Sequence, residues 1–318
     1  MKRTLIIHHW DTDGICSTAL LLNYLKGYIK NTTPEIGNYF LRDSEIEEYE
    51  DYESIVIADI SIPREDVLKI KEKTNADIMI FDHHLQEEIK EVFHCNPILR
   101  GESPEIYPST SWVINDYLKN PVSLLSVLGA VGDAGEKIRE NEFIFQKIRE
   151  NIDLRFEDLL KMTELIDSNY KINDRKGVEN AVHYLLKNIN HPERILENRE
   201  WNKNLRKINV EIQKILEEPS LFEDDSLILK EFESDYSIIS SIARNLAWNA
   251  KKTAIVINKG FFKDRDQIYV RGDGCLDRIL ELARERGYSS GGKKEVVGIV
   301  LPKEESEKFL DKILEELR

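Results

Sequence analysis

The chain opens with His8-His9-Trp10-Asp11-Thr12-Asp13-Gly14, and carboxylates and imidazoles return at Asp59, at Asp82-His83-His84 and at Asp133. Carboxylate oxygens and imidazole nitrogens gathered in one place are ligands for Mg²⁺ or Mn²⁺, and the imidazoles tip the choice toward Mn²⁺. Two such ions about 3.5 to 4 Å apart clamp the attacking and leaving oxygens of an in-line phosphoryl displacement and activate a water. A centre of this kind needs one carboxylate shared by both ions, a group that neutralises the phosphate, and partners that fix the ligand imidazoles. Taken singly, each residue has a plainer reading: an Asp that ends a strand caps the next helix, and a His-His pair in a loop is commonly surface. Convergence changes the balance. Four of the seven histidines and four aspartates fall on one predicted edge, where unpaired carboxylates would repel one another.

The elements that must position these groups follow from periodicity. Thr4 to His8 is an apolar run with the length of a buried strand, and Gly14 to Tyr28 carries apolar residues at helical spacing, with Asp11-Thr12-Asp13-Gly14 as the turn between them. Ser54 to Asp59 is a second strand, Pro63 opens a helix toward Thr74, and Asp77 to Phe81 is a third strand. The alternation predicts an α/β fold with a parallel sheet covered by helices on both faces. Ligands of such sheets sit beyond the carboxyl ends of the strands. Asp11 and Asp13 follow the first strand, Asp59 ends the second, and Asp82 to His84 follow the third. Further helices are expected over Ser109 to Leu118 and Val122 to Val131, the latter ending in Gly132-Asp133-Ala134-Gly135.

From Glu136 to Pro219 the chain is charged and helical in period, with Asn198 to Glu218 as its clearest amphipathic piece. Beyond it, strands at Leu227 to Phe232, Thr253 to Asn258, Gln267 to Gly272 and Val296 to Leu301 alternate with helices over Tyr236 to Asn249 and Leu276 to Arg286. This predicts a smaller α/β unit with a mixed sheet. The expected organisation is a catalytic domain over 1–150, a helical connector over 151–220 and a second domain over 221–318, consistent with a length above the ~100 to 200 residues of one domain. The acidic stretch Asp43 to Glu53 reads as a solvated face.

Composition narrows the class. With 33% charged and 41% apolar residues the chain is globular, and it lacks the run of about 20 apolar residues that crosses a bilayer. The N-terminus has no signal-peptide pattern, so a cytoplasmic location is expected. Cys16, Cys95 and Cys275 are far apart and form no CxxC pair, which argues against a disulfide framework or a thiolate zinc site. A net charge of −14 is the wrong sign for coating duplex DNA with the whole surface. Contact with nucleic acid must then be local, through a cleft where cations offset the carboxylates or through a partner.

In their order, His9-x-Asp11-x-Asp13-Gly14, Ile55-Val56-Ile57-Ala58-Asp59, Phe81-Asp82-His83-His84 and Gly129-Ala130-Val131-Gly132-Asp133 resemble the four successive motifs of the DHH phosphoesterase superfamily. Asn96-Pro97-Ile98 and Pro108 to Val113 resemble segments lying between its third and fourth motifs. The resemblance implies that His9, Asp11 and Asp59 bind one metal ion and that Asp13, Asp59, His83 and Asp133 bind the other, with Asp59 bridging. It implies that His84 contacts the scissile phosphate or protonates the leaving group, and that Asp82 orients a neighbouring imidazole. His8 matches no family position and is read as structural.

The C-terminal part resembles the DHH-associated substrate domain, with Arg271 at the place of a phosphate-holding Arg. The family's Gly-Gly-His loop stands here as Gly291-Gly292-Lys293, with Lys293 in place of the histidine. Lysine pairs with phosphate as a point charge but does not stack as an imidazole does. The plainer readings are an ordinary turn at Ser289 to Lys294 and a solvated strand end at Arg271. Within the superfamily the chain looks most like the RecJ-type and archaeal single-strand exonucleases. That implies a Mn²⁺-dependent exonuclease on single-stranded DNA or RNA, with a helicase or a replication or repair protein as a family-level partner. Short-oligonucleotide or cyclic-dinucleotide hydrolysis is the alternative, and a catalytically reduced replication or repair accessory is the alternative of another class.

Overall fold

The structure, a computed structural model, describes residues 2–272, 276–293 and 295–317; Cys275 and the side chain of Lys293 lie outside the described part. The chain divides into two compact units, residues 1–170 with 174–205, and residues 171–173 with 206–318.

The first unit is built on strands β1 (Arg3–His8), β2 (Tyr28–Thr32), β3 (Ser54–Ala58), β4 (Asp77–Phe81) and β5 (Phe93–Cys95). All pair in parallel, in the order β2-β1-β3-β4-β5. Parallel strands sandwiched by helices lose water from both faces, which is why β1 and β3 are unbroken apolar runs rather than alternating ones. Leu5, Ile6, Ile7, Ile55, Val56, Ile57 and Ala58 are all at most 1% exposed. The helices are α1 (Thr12–Tyr24), α2 (Asp43–Glu47), α3 (Arg64–Thr74), α4 (Thr110–Tyr117), α5 (Leu124–Ala134), α6 (Glu142–Asn151), α7 (Phe156–Lys171), α8 (Arg175–Asn188), α9 (Glu193–Leu196) and α10 (Arg199–Glu217), the last crossing the division.

Helix α1 packs against α4, α5 and α8 as well as the sheet, and every residue from Thr12 to Leu21 is buried. It stops at Tyr24, short of the expected Tyr28: Gly27 at φ 117° turns the chain, and Tyr28 begins a strand instead. That edge strand was hidden by Tyr28, Lys30 and Asn31, which break its apolar pattern. The segment read as a connector is shared between the units. Helix α8 belongs to the first, burying Val178, Ala181, Val182 and Leu185. In α10, Trp201 and Leu205 fall in the first unit, whereas Ile208 and Ile215 join a core of the second.

The second unit carries β6 (Phe222–Glu223), β7 (Leu227–Phe232), β8 (Thr253–Asn258), β9 (Arg265–Arg271), β10 (Ser289–Lys293) and β11 (Val296–Pro302), in the order β10-β11-β9-β8-β7-β6. Only the β7–β8 pairing is parallel among these, so the sheet is mixed. One face packs on α12 (Asp277–Glu285) and α13 (Ser306–Glu316) through Ile268, Val270, Val297 and Phe309, and the other takes α11 (Ile239–Ala250) through Ile242, Ala254 and Val256. The Gly-Gly segment, expected as a loop or turn, is instead edge strand β10, with Gly291 opposite Gly298 and Gly292 opposite Val297. A Cβ on Gly292 would lie 2.1 Å from the Val296 carbonyl oxygen, so close strand approach explains that glycine. Among the described residues no helix is long and apolar enough to cross a membrane.

Candidate metal centre

The direction of connection reverses at β1, whose neighbours β2 and β3 lie on opposite sides, and the carboxyl edge at such a reversal is where open α/β sheets bind ligands. The sequence-predicted metal residues gather there. His9 follows β1, its N–H donating to the Ala58 carbonyl at 3.1 Å. Asp11 caps α1, accepting from the Gly14 N–H at 3.1 Å, and Asp13 sits in the first turn. A Cβ on Gly14 would lie 2.3 Å from the His9 carbonyl oxygen, so only glycine lets the helix start this close behind the strand.

Asp59 leaves β3 in the left-handed conformation, φ 62°, with its N–H donating to the Phe81 carbonyl at 3.0 Å. Aspartate tolerates that region better than most residues, and strained backbone of this kind collects at functional sites. The two oxygens of its carboxylate face different partners. Oδ2 lies 3.9 Å from His9 Nδ1, and Oδ1 lies 3.8 Å from His83 Nε2. Three groups have ligand atoms within 4.8 Å of one another: His9, Asp11 and Asp59; Asp13, His83 and Asp133; and Asp59, His83 and His84.

Helices α4 and α5 complete the edge. Ser109 caps α4, its Oγ accepting from the Trp112 N–H, and the free N–H groups of Thr110 and Ser111 donate to Asp13 at 2.6 and 2.9 Å. Thr110 Oγ1 donates to Asp59 Oδ1 at 2.8 Å. Helix α5 brings Asp133 3.0 Å from His83 Nε2. Gly129 and Gly132 let it approach: a Cβ at the first would meet Ser111 Oγ at 2.0 Å and Asp13 Oδ1 at 2.2 Å, and at the second Thr12 Cβ at 2.9 Å. These roles of Thr110, Ser111, Gly129 and Gly132 were not drawn from the sequence. Ser109-Thr110-Ser111 ahead of an apolar run is a capping signal, and the glycines stand three apart on one helix face. Nor was the contact of Asp167 with Thr12, which runs from α7 and has no motif around it.

Asp82 is fully buried and uses both oxygens for orientation. Oδ1 accepts from the His83 and His84 N–H groups at 2.6 and 2.9 Å and lies 2.8 Å from His84 Nδ1, while Oδ2 accepts from Gln86 at 2.8 Å. Asn96 holds the same loop, donating to the His84 carbonyl at 2.8 Å. The His84 ring thus has one nitrogen tied down while 44% of its side chain remains exposed. His8 is fully buried, with Nδ1 2.6 Å from the His9 carbonyl oxygen; burial lowers its pKa to about 4, as for a neutral structural imidazole.

Electrostatics show how these buried groups perturb one another. Burial, then Asp13, Asp11 and Asp133, push the Asp59 carboxyl well above the usual range. Burial and Asp133 raise Asp13 to about 6. Burial opposes protonation of His83, but Asp133 and Asp13 outweigh it and raise its pKa to about 9. Burial likewise disfavours charge on Asp11, yet His9 holds it at about 2. The nitrogens of His9 and Nε2 of His83 are buried without a hydrogen bond, although His9 Nδ1 lies 2.8 Å from Asp11 Oδ2, so these close pairs lack hydrogen-bond alignment. Buried imidazole nitrogens without an aligned hydrogen bond, beside carboxylates that disfavour one another, fit divalent cations. Nitrogen and oxygen donors together suit Mn²⁺ as well as Mg²⁺.

Residues 3–141 match the family described as "DHH family, N-terminal domain". This part of the chain is a DHH domain. The match spans all four motifs. No curated protein matches it by sequence. Among solved structures, an exonuclease RecJ bound to manganese superposes with a TM-score of 0.70 at 14% identity, covering 99% of this chain and 90% of that one. A DHH-domain protein described as belonging to a family of ribosomal proteins gives 0.69 at 16% identity, over 99% and 86%. A pGpG-specific phosphodiesterase, PggH from Vibrio, gives 0.58 at 14% identity, over 100% and 99%. At these identities the likeness is one of fold, and it extends over both units of the chain.

The remaining sequence-predicted residues belong to the second unit. Arg271 ends β9 with its Nε buried and without a hydrogen-bond partner, and Gly291 and Gly292 lie on β10. The side chain of Lys293 lies outside the described part.

Proposed function

We propose that the protein is a Mn²⁺-dependent phosphodiesterase that degrades single-stranded DNA or RNA from an end, using two metal ions held by His9, Asp11, Asp13, Asp59, His83 and Asp133. The observation that carries this reading is the pair of Asp59 oxygens, one turned toward His9, which groups with Asp11, and the other toward His83, which groups with Asp13 and Asp133. Divalent cations bound to these groups supply Lewis-acid activation of water and charge neutralisation at phosphorus. His9 with Asp11 holds one ion, Asp13 with His83 and Asp133 holds the other, and Asp59 is shared. The protein's own part is preorganisation. Thr110 and Ser111 pin Asp13 and Asp59 from the start of α4, so their carboxylates need no reorganisation. His84, oriented by Asp82 and still open to solvent, presents its free nitrogen to a phosphate oxygen or to the leaving oxygen.

Two relatives in fold support the substrate class, one named as an exonuclease and the other as a pGpG-specific phosphodiesterase. The second favours short strands as an alternative, since this chain matches it over 99% of its length. Single-stranded DNA and RNA labelled at the 5′ or the 3′ end, incubated with Mn²⁺, test both readings. Mononucleotides released stepwise from long strands support an exonuclease, and turnover confined to strands of a few residues supports the alternative. Equal product from wild type and Asp59→Ala, or none from either, overturns both.

A further inference from the structure

Helix α11 places Arg244 and Trp248 one turn apart, and the two make a cation–π pair with the guanidinium carbon 5.4 Å from the indole centroid. Arg271, at the end of β9, brings a second guanidinium to 5.9 Å from the same ring. Trp248 is 57% exposed, whereas Trp10, Trp112 and Trp201 are at most 6% exposed. A single exposed aromatic is ordinary. This one is flanked by two cations from different elements. Among the described residues neither arginine has a carboxylate partner, although the chain carries 59 acidic residues against 45 basic ones. The buried, unpartnered Nε of Arg271 is a donor already stripped of water, which is unfavourable until an acceptor arrives. The strand register sets Lys293 in the same transverse row as Arg271, with Val296 between them.

An open indole face with unpaired guanidiniums beside it matches one kind of ligand best. Bases of a single strand stack on the ring, and the phosphates between them accept from the arginines. A duplex keeps its bases stacked internally and offers no such face. We propose that Arg244, Trp248 and Arg271 form a base-stacking and phosphate-binding platform for single-stranded nucleic acid on the second unit, a proposal that rests on the substrate class argued above. The local cationic patch explains how a chain of net charge −14 holds a polyanion.

The test uses the full chain in EDTA, where metal-dependent hydrolysis is blocked, and an oligodeoxyadenylate of about ten nucleotides, within the usual site size of such platforms. Trp248 is the exposed indole, so stacking quenches tryptophan emission on titration. Trp248→Ala weakens binding about 10-fold, the effect of one lost stacked base, while Trp248→Phe retains most of the affinity. Arg244→Ala lowers the slope of log affinity against log salt by roughly 0.7, the value for one phosphate contact with a single strand. Equal affinity of wild type and Trp248→Ala, unchanged emission at saturation, or equal binding of a duplex of the same length overturns the platform. A strand that binds through Trp248 yet is never cut with Mn²⁺ counts against hydrolysis and leaves the platform standing. A strand that is cut while its binding ignores Trp248 does the reverse.

Discussion

Asp59 is the residue on which the proposed chemistry turns, because two groups of possible ligands share its carboxylate. Asp59→Ala removes a ligand from both and is expected to lower hydrolysis by at least about 10³-fold, the scale on which metal chemistry contributes to phosphoryl transfer. Steady-state turnover at saturating Mn²⁺ checks this. Thr110→Val is milder. It removes one hydrogen bond to Asp59 Oδ1, worth about 0.5 to 1.5 kcal/mol, so Mn²⁺ affinity measured by titration should fall by up to about 10-fold with the fold intact. An unchanged affinity would show that α4 does not hold the bridging carboxylate. At Gly129 the expected defect is structural first. The added methyl of Gly129→Ala meets Ser111 and Asp13, and forced repacking costs about 1 to 3 kcal/mol, visible as a lower denaturation midpoint even without metal.

Helix α4 shows how an element far along the chain governs ligands near its start. Its cap, Ser109, fixes the first turn whose N–H groups hold Asp13, so Ser109→Ala should cost about 1 kcal/mol of stability and also loosen metal binding. Denaturant unfolding and Mn²⁺ titration of the same variant separate the two effects. Legibility in the sequence follows the same physics. Strands β1, β3 and β4 were readable because strands buried on both faces must be apolar throughout, and Asp11, Asp59 and Asp82 to His84 were readable because they stand directly at the ends of those strands. Strand β2 was not, since edge residues such as Lys30 alternate with solvent. The three-residue β5 is too short to show a period. Ser289 to Lys294 read as a loop or turn because glycines carry no strand signal, whereas the fold uses Gly291 and Gly292 for close pairing of β10 and β11. Thr110 and Gly129 act on Asp13 and Asp59 through tertiary packing, which no local pattern records.

At the scale of the whole molecule, the crowding of Asp13, Asp59 and Asp133 around His83 ties stability to pH. Folded His83 holds its proton up to about 9, whereas the unfolded imidazole releases it near 6.5, so the folded state binds more protons between those limits. Stability from this group is fully present below about 6.5 and is lost as pH rises through 9; the raised Asp59 carboxyl acts in the same sense. Protein in EDTA is therefore expected to melt at progressively lower temperature from about pH 7 to 9, while saturating Mn²⁺ flattens the trend by replacing those protons. Parallel melting curves with and without metal across that range would contradict the assignment of these residues as ligands.

A carboxylate shared by two Mn²⁺ ions would couple their spins. Electron paramagnetic resonance during a Mn²⁺ titration tests this sharing most directly. Wild type is expected to bind two Mn²⁺ per chain with the signature of a spin-coupled pair, and Asp59→Ala to lose the coupling. Isolated Mn²⁺ signals only, or an unaltered coupled pair in Asp59→Ala, would contradict it.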